Sequence, residues 1–219
     1  MLSFRNDLAC VFGLSNPPYA HFYILICIMK LNMQRYMIYL KNQSHTPRDA
    51  RNLLVRARSL LSASQVVIRD TRVSDLRLEF DTSIPDNNTV EEVIHRLSSI
   101  APLVEYEHVV EKKLPKHKAI EYARSFFNAQ KYWSAHELLE SVWKNSEGNE
   151  KEILNGIILV AAAFVHEEKD EADICVSILK RAMKKLDNGA GNYQGIDIDK
   201  LKGHVLKIIE NGPTRRFVI

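Results

Sequence analysis

The spacing of hydrophobic and polar positions changes character about halfway along the chain. Between residues 33 and 110, short segments of period two alternate with two amphipathic segments of helical period. From residue 116 onward the apolar spacing is helical throughout, and the charged, proline-containing stretch Glu111–Lys116 marks a linker between the two patterns. The pattern predicts an α+β protein, in which an α+β domain over residues 33–112 is followed by an all-helical bundle domain over residues 116–212.

The first of these regions predicts four strands and two helices in the order β-α-β-β-α-β. The expected strands are 34–41, 65–70, 76–81 and 103–110, and the expected helices are 47–61 and one beginning at about residue 90. This order is typical of the ferredoxin-like fold, in which two helices cover one face of a four-stranded antiparallel sheet. In the third strand Leu78 and Phe80 alternate with Glu79 and Asp81, which predicts that the second face of the sheet is in water.

The second region predicts five helices, at residues 117–129, 133–145, 150–166, 172–186 and 199–210. The third of them reads ILNGIILVAAAFVH and is apolar nearly all round, which is typical of a central helix contacted on several sides.

Residues 1–32 stand apart from both patterns. Their longest apolar run, around Phe22–Met29, is well short of the roughly 20 residues that a membrane-spanning helix needs, and no cleavage site of a signal peptide follows it. Met29 and Met33 offer later starts. We therefore expect an N-terminal appendage, disordered or produced by a start assigned too far upstream, and no membrane span.

Composition narrows the class of protein without naming a function. The 219 residues carry a formal net charge of +3 from 30 basic and 27 acidic side chains. In residues 33–110 the positive and negative charges balance, and the strands lack the paired aromatic residues of an RNA-recognition motif, which argues against nucleic acid as the partner. The three cysteines, Cys10, Cys27 and Cys175, are scattered, with no CxxC spacing, so a reducing cytoplasm fits best.

The candidate chemistry is concentrated between residues 126 and 166. The segment HELLESVW places His136, Glu140 and Trp143 along one flank of a helix, and Trp133 precedes them by one turn. The helical angles put these four side chains at the edge of the buried stripe, where polar groups need partners. An imidazole and a carboxylate one turn apart could satisfy each other, bind a divalent metal, or share a proton with a ligand.

The following helix brings two more polar side chains toward this hairpin. If residues 146–149 form the turn, Asn155 returns close to Glu140, whereas His166 passes His136 by about six residues, or ~9 Å along the axis. His136, Glu140 and His166 are therefore not expected to bind one ion. The segment is neither an HExxH protease motif, because Glu140 stands where the second histidine is required, nor a ferritin-type pair of ExxH motifs.

Three segments, FFNAQKYWSAHELLESVW, EILNGIILVAAAFVH and LDNGAGNYQGIDIDKL, resemble the family called domain of unknown function 309. The resemblance covers roughly Lys116–Glu210 and implies a small all-helical bundle, without an activity. Leu159 stands where the family usually has Gln, and Lys169-Asp170 replaces a usual Gly-Asn. The matching positions are Asn128, His136, Glu137, Glu140, Trp143, Gly156, His166, Tyr193, Gly195 and Asp197.

These observations favour a binding or interaction module with a His/Glu/Trp pocket in the helical region. One alternative is a metal-dependent or acid–base enzyme, of hydrolase type, that acts on a small substrate at His136 and Glu140; another is a nucleic-acid-binding protein. No cofactor is evident, and a divalent metal at His136 and Glu140 is the one candidate. The partner is left open, and a homodimer through the ferredoxin-like domain is one arrangement that the pattern allows. The residues expected to line the pocket are Trp133, His136, Glu137, Glu140, Trp143, Asn155 and His166.

Overall fold

Four strands form one antiparallel sheet in the computed structural model, which describes residues 32–110, 114–212 and 216–219. The order across the sheet is β2-β3-β1-β4. The expectation of an appendage over residues 1–32 falls, except for its last residue, outside the described residues. The strands are β1 (Met33–Lys41), β2 (Val67–Val73), β3 (Arg77–Pro85) and β4 (Leu103–His108). The mixed architecture expected from the sequence, a four-stranded antiparallel sheet followed by helices, is confirmed.

Two helices interrupt the strands, α1 (Ala50–Leu60) and α2 (Val90–Leu97). A short 3-10 turn, Pro47–Asp49, leads into α1, and the Asp49 carboxylate accepts a hydrogen bond from the Thr46 amide at 2.8 Å. The Thr89 hydroxyl accepts from the Glu92 amide at 3.3 Å and so caps α2. The apolar faces of both helices cover one face of the sheet, where Leu53, Ala57, Val93 and Leu97 join Ile38, Leu40, Leu78 and Phe80 in one core.

The second face of the sheet is buried as well, so the prediction that it is in water was wrong. Glu79 and Asp81 of β3 are only 2% and 3% exposed. They lie on the same face as Met37 and Tyr39, which are their direct partners across β1. Helical segments cover this face, since Lys131 reaches Glu105 and Glu107 of β4 and Trp133 lies under the Arg35 guanidinium. Strand alternation identifies two faces but does not say what covers the second one.

The described residues after position 113 contain five helices and a small hairpin. The helices are α3 (Lys116–Asn128), α4 (Tyr132–Trp143), α5 (Gly148–Glu167), α6 (Ala172–Leu186) and α7 (Ile198–Asn211), and β5 (Asn192–Tyr193) pairs with β6 (Ile196–Asp197). Buried residues of α5 from Ile153 to Phe164 contribute to a second core, together with buried faces of the other four helices. None of the described helices combines the length and the apolar composition that crossing a membrane requires.

The hairpin docks on the helices and helps to begin α7. The Tyr193 hydroxyl donates to Glu150 at 2.9 Å, and the Arg124 guanidinium donates to the Gly195 carbonyl at 2.6 Å. Gly195 has a φ of 84°, which favours glycine, and a Cβ there would displace the Arg124 guanidinium from this contact. Asp197 then caps α7 by accepting from the Lys200 amide at 2.9 Å.

Candidate functional site

Helix α4 carries the candidate residues on two different sides. Tyr132, Ala135, Leu139 and Val142 form its buried stripe against the helical core. Trp133, Glu137 and Glu140 lie on the side that faces the sheet and line a cleft, together with Ser134 and Leu138. His136 and Trp143 do not line that cleft. The constellation predicted as one pocket is therefore divided, and Glu140 is the residue that borders both sides.

The His136–Glu140 pair is a loose contact on the flank of α4. The Nε2 atom of His136 lies 3.6 Å from Oε1 of Glu140, which is longer than a hydrogen bond. The other ring nitrogen, Nδ1, is buried and has no hydrogen-bond partner among the described residues. The two side chains could supply two donors to a metal ion, one fewer than the three protein ligands of a catalytic zinc site. In the described part of the chain no group of three or more His, Cys, Asp or Glu side chains is placed to hold a metal.

Trp143 packs at the end of the same flank. Its ring lies under the Lys151 ammonium, which is 4.8 Å from the ring centroid, and its indole Nε1 is buried without a hydrogen-bond partner in the described residues. Asn155 is half-buried on α5.

His166 belongs to a separate group at the other end of α5. Its Nδ1 lies 2.5 Å from a carboxylate oxygen of Glu171, and Lys169 next to it reaches Asp70 of β2 at 3.3 Å. The expectation that His166 does not meet His136 and Glu140 agrees with these partners.

An ionic network on the buried face of the sheet holds Trp133 in place. The Arg35 guanidinium lies 4.4 Å from the centroid of the Trp133 ring and donates two hydrogen bonds to Asp81, of 2.8 and 2.6 Å. The bond to Asp81 raises the pKa of Arg35. Arg72 lies 5.8 Å from the same ring and forms an ion pair with Glu79. Trp133 is thus positioned by two arginines that the sheet supplies.

Lys131 fixes the beginning of α4 against the sheet. Its ammonium is buried, forms ion pairs with Glu107 and with Glu105 (3.0 Å), and lies 4.5 Å from the centroid of the Tyr39 ring. The Tyr39 hydroxyl shares a hydrogen bond of 3.2 Å with Ser134. These contacts orient the N-terminal turns of α4, and with them the side chains that face the sheet.

The cleft formed in this way has a volume of about 730 Å³. We call it the sheet–helix cleft. Its walls come from β1, from β4 and the two residues after it, from α3 and from α4. The apolar lining consists of Met37, Val109, Val110, Leu114, Tyr122, Phe126, Trp133 and Leu138, and the polar lining of Glu107, His108, Ser134, Glu137, Glu140, Ser141 and Lys144.

Sequence reasoning finds the α4 side of the cleft and misses its other walls. Met37 and Glu107 belong to strands whose second face the alternation places in water, and Tyr122 and Phe126 belong to an ordinary amphipathic helix. The one available signal is the Glu-rich strand LVEYEH, in which Glu105 and Glu107 alternate with apolar residues and meet the buried Lys131.

Comparison with known proteins identifies one family within the helical part of the chain. No curated protein matches the chain. The crystal structure of a conserved hypothetical protein from Thermus thermophilus is 26% identical over the matched part, which covers 41% of this chain and 94% of that one, with a TM-score of 0.37. Residues 120–178 match the family described as Domain of unknown function (DUF309), which confirms the resemblance for this part of the chain.

Proposed function

We propose that the chain is a binding module whose ligand site is the sheet–helix cleft, and that the ligand is a small amphipathic cation. The observation that carries the proposal is the cleft itself, which joins aromatic and aliphatic walls to two carboxylates of one helix, Glu137 and Glu140. The proposal treats residues 33–112 as a ferredoxin-like domain and residues 116–212 as a helical domain. The strand order β2-β3-β1-β4 and the two separate cores support that division.

The size and lining of the cleft favour a small organic molecule. Ligand pockets in proteins are typically about 300–1,000 Å³ and are lined mainly by apolar side chains with a few polar groups. The sheet–helix cleft, at about 730 Å³, falls in this range. Trp133, Tyr122 and Phe126 supply flat apolar surfaces, and Trp133 is already fixed by Arg35, so little ordering is needed when a ligand binds.

The charges along the rim favour a cationic group on the ligand. Glu107, Glu137 and Glu140 line the cleft, against Lys144 as the one lysine. Glu107 is neutralised by Lys131, and Glu140 is one turn from Lys144. Glu137 is exposed at the rim and interacts electrostatically with the Arg35 guanidinium, which is itself hydrogen-bonded to Asp81. It is therefore the carboxylate that a ligand ammonium would approach.

Tryptophan fluorescence of the full chain can test this proposal. The chain has two tryptophans, so the variant Trp143→Phe leaves Trp133 in the cleft as the only reporter. We expect octylamine to change the Trp133 emission saturably, and octanoic acid, with a chain of the same length, to bind much more weakly. Glu137→Gln should weaken octylamine binding by about two- to fivefold, since an ion pair at an exposed rim contributes about 0.2–1 kcal/mol.

The matched control is Glu210→Gln, a substitution of the same kind at an exposed position of α7. It should leave octylamine binding unchanged. Equal responses to octylamine and octanoic acid, or a response that does not saturate, would show that the cleft does not select a cation and would overturn the proposal.

A further inference from the structure

Residues 216–219 lie against the helical core, and Asn128 at the end of α3 binds the backbone of this segment. The Asn128 amide nitrogen donates to the Ile219 carbonyl at 3.1 Å, and its amide oxygen accepts from the Ile219 amide at 2.8 Å. One side chain thus satisfies both backbone groups of one residue, as a neighbouring strand would do. Asn128 is among the positions of the DUF309 resemblance, and the sheet–helix cleft makes no use of it.

Phe217 occupies an aromatic pocket made by three helices. Its ring centroid lies 5.6 Å from that of Phe127 on α3, 5.5 Å from that of Phe164 on α5, and 4.6 Å from that of His204 on α7. The His204 ring is nearly parallel to it, at 8°. Contacts of this kind select an aromatic side chain over an aliphatic one.

Arg216 is recognised by charge and by aromatic rings at the same time. Its guanidinium forms an ion pair with Glu167 and lies 3.6 Å from Asp75. The guanidinium carbon is 5.6 Å from the ring centroids of both Tyr132 and Phe164. Burial raises the pKa of Glu167. Removing the cation beside this buried carboxylate would therefore cost free energy.

The contacts are specific along the segment. Val218 is 58% exposed, whereas Arg216, Phe217 and Ile219 are half-buried. The groove that receives them is built from residues far apart in the sequence, between Asp75 and His204, so its shape does not depend on the segment alone. The chemistry at each place is different: a carboxylate with rings for Arg216, an aromatic pocket for Phe217, and a backbone clamp for Ile219.

We propose that this groove is a sequence-specific peptide-recognition site for Arg-Phe-Val-Ile, and that its occupant is residues 216–219 of the same chain. A segment tethered to its own site has an effective concentration in the millimolar range. The cis segment therefore competes strongly with any free peptide, and a groove whose own segment is weakened binds the peptide from solution.

A labelled tetrapeptide with the sequence of residues 216–219 tests the recognition step by fluorescence anisotropy on the full chain. We expect the variant Phe217→Ala to bind the peptide about tenfold or more tightly than the unchanged chain, because the cis segment no longer fills the aromatic pocket. Adding Asn128→Ala to that variant should abolish the binding, and a peptide of scrambled order should not bind.

Val218→Ala is the matched control, because it alters the same segment at its exposed position and should leave peptide binding as weak as in the unchanged chain. Asn128 is exposed, so its substitution spares the core, and circular dichroism with thermal melting verifies that each variant is folded. If folded Phe217→Ala binds the peptide no better than the unchanged chain, or binds the scrambled peptide equally well, the groove is not a recognition site.

Discussion

Arg72 is a fully buried cation that is surrounded by carboxylates. The side chain is 2% exposed, forms an ion pair with Glu79, and lies 3.3 Å from a carboxylate oxygen of Asp70. Burial by itself lowers the pKa of Arg72, but the carboxylates around it, Glu79 first, raise it above its ordinary value. The guanidinium therefore stays charged, and its free energy depends on partners that remain in place.

We predict that Arg72→Met destabilises the fold by about 3–5 kcal/mol, because it leaves the Glu79 carboxylate buried without a partner. The double variant Arg72→Met/Glu79→Met should recover most of this loss, since a buried ion pair can be replaced by apolar side chains of similar size at little cost. Urea denaturation at pH 7 gives both free energies of unfolding. A single variant that loses less than about 1 kcal/mol would contradict the prediction.

The residues of β3 show what the sequence can and cannot predict about single positions. Leu78 and Phe80 are correctly assigned to a buried face, because apolar side chains with period two need a core. Glu79 and Asp81, which alternate with them, are assigned to water, because a charged side chain is rarely buried without a partner. Their partners, Arg35 and Arg72, lie on other strands. The spacing of residues along one strand carries no information about contacts between strands.

Elements are easier to predict than contacts, because their ends are marked locally. Thr89 and Asp197 both cap helices in the structure. The start expected at residue 47 becomes a 3-10 turn before α1, and α5 begins two residues earlier than expected, at Gly148. The second strand, expected at 65–70, runs from Val67 to Val73, since pairing with β3 decides its end and apolar content does not.

Helices α5 and α6 approach each other closely at Gly156. A Cβ at this position would lie 2.5 Å from Cγ of Leu186 and 2.6 Å from its Cδ2. We predict that Gly156→Ala lowers the free energy of unfolding by about 1–3 kcal/mol, because overpacking exceeds the gain in helix propensity. Thermal or urea unfolding measures the change.

Gly203 on α7 is the matched control, because a Cβ there meets nothing within 4 Å. Gly203→Ala should raise stability by about 0.5–1 kcal/mol through helix propensity alone. If Gly156→Ala stabilises the chain as Gly203→Ala does, α5 and α6 do not approach each other as closely at Gly156 as the structure shows.

At the scale of the whole molecule, the sheet and the helices meet through charged side chains. Lys131 forms an ion pair with Glu105, and Trp133 lies beside Arg35 and Arg72. Glu168, which follows α5, interacts electrostatically with Glu79 and Arg72 of the sheet. The sequence predicts the sheet domain and the helical bundle separately. The alternation in β3 predicts that the sheet face between them is in water. The sheet–helix cleft lies between the halves, so three of its walls could not be predicted from any one segment.

Glu168, just after α5, is a buried carboxyl group near both the sheet and the helices. It is 1% exposed, and its Oε1 has no hydrogen-bond partner among the described residues. Burial raises its pKa well above the ordinary 4.5, and the nearby Glu79 and Glu167 raise it further, whereas Arg216 and Arg72 lower it. The folded chain therefore keeps the Glu168 proton at pH values where the unfolded chain has lost it.

The sign of the pH dependence follows from this difference. Because the pKa is raised in the folded state, the contribution of Glu168 to stability is fully present below about pH 4.5 and is lost as the pH rises through the folded-state pKa. The variant Glu168→Gln does not titrate. We predict that it exceeds the unchanged chain in free energy of unfolding at pH 7, by about 1 kcal/mol or more, because ionisation of Glu168 stabilises the unfolded state of the unchanged chain and a glutamine cannot ionise.

Urea denaturation between about pH 4.5 and pH 8 measures the two curves, with Glu210→Gln at an exposed position of α7 as the control for loss of one carboxylate. The advantage of Glu168→Gln should shrink toward about pH 4.5, where Glu168 approaches protonation in both states, and the control should follow the unchanged chain. An advantage that grows as the pH falls would mean that the folded state holds Glu168 ionised. Arg72 and Arg216 would then outweigh the burial, and the carboxylate would help to hold the helices on the sheet.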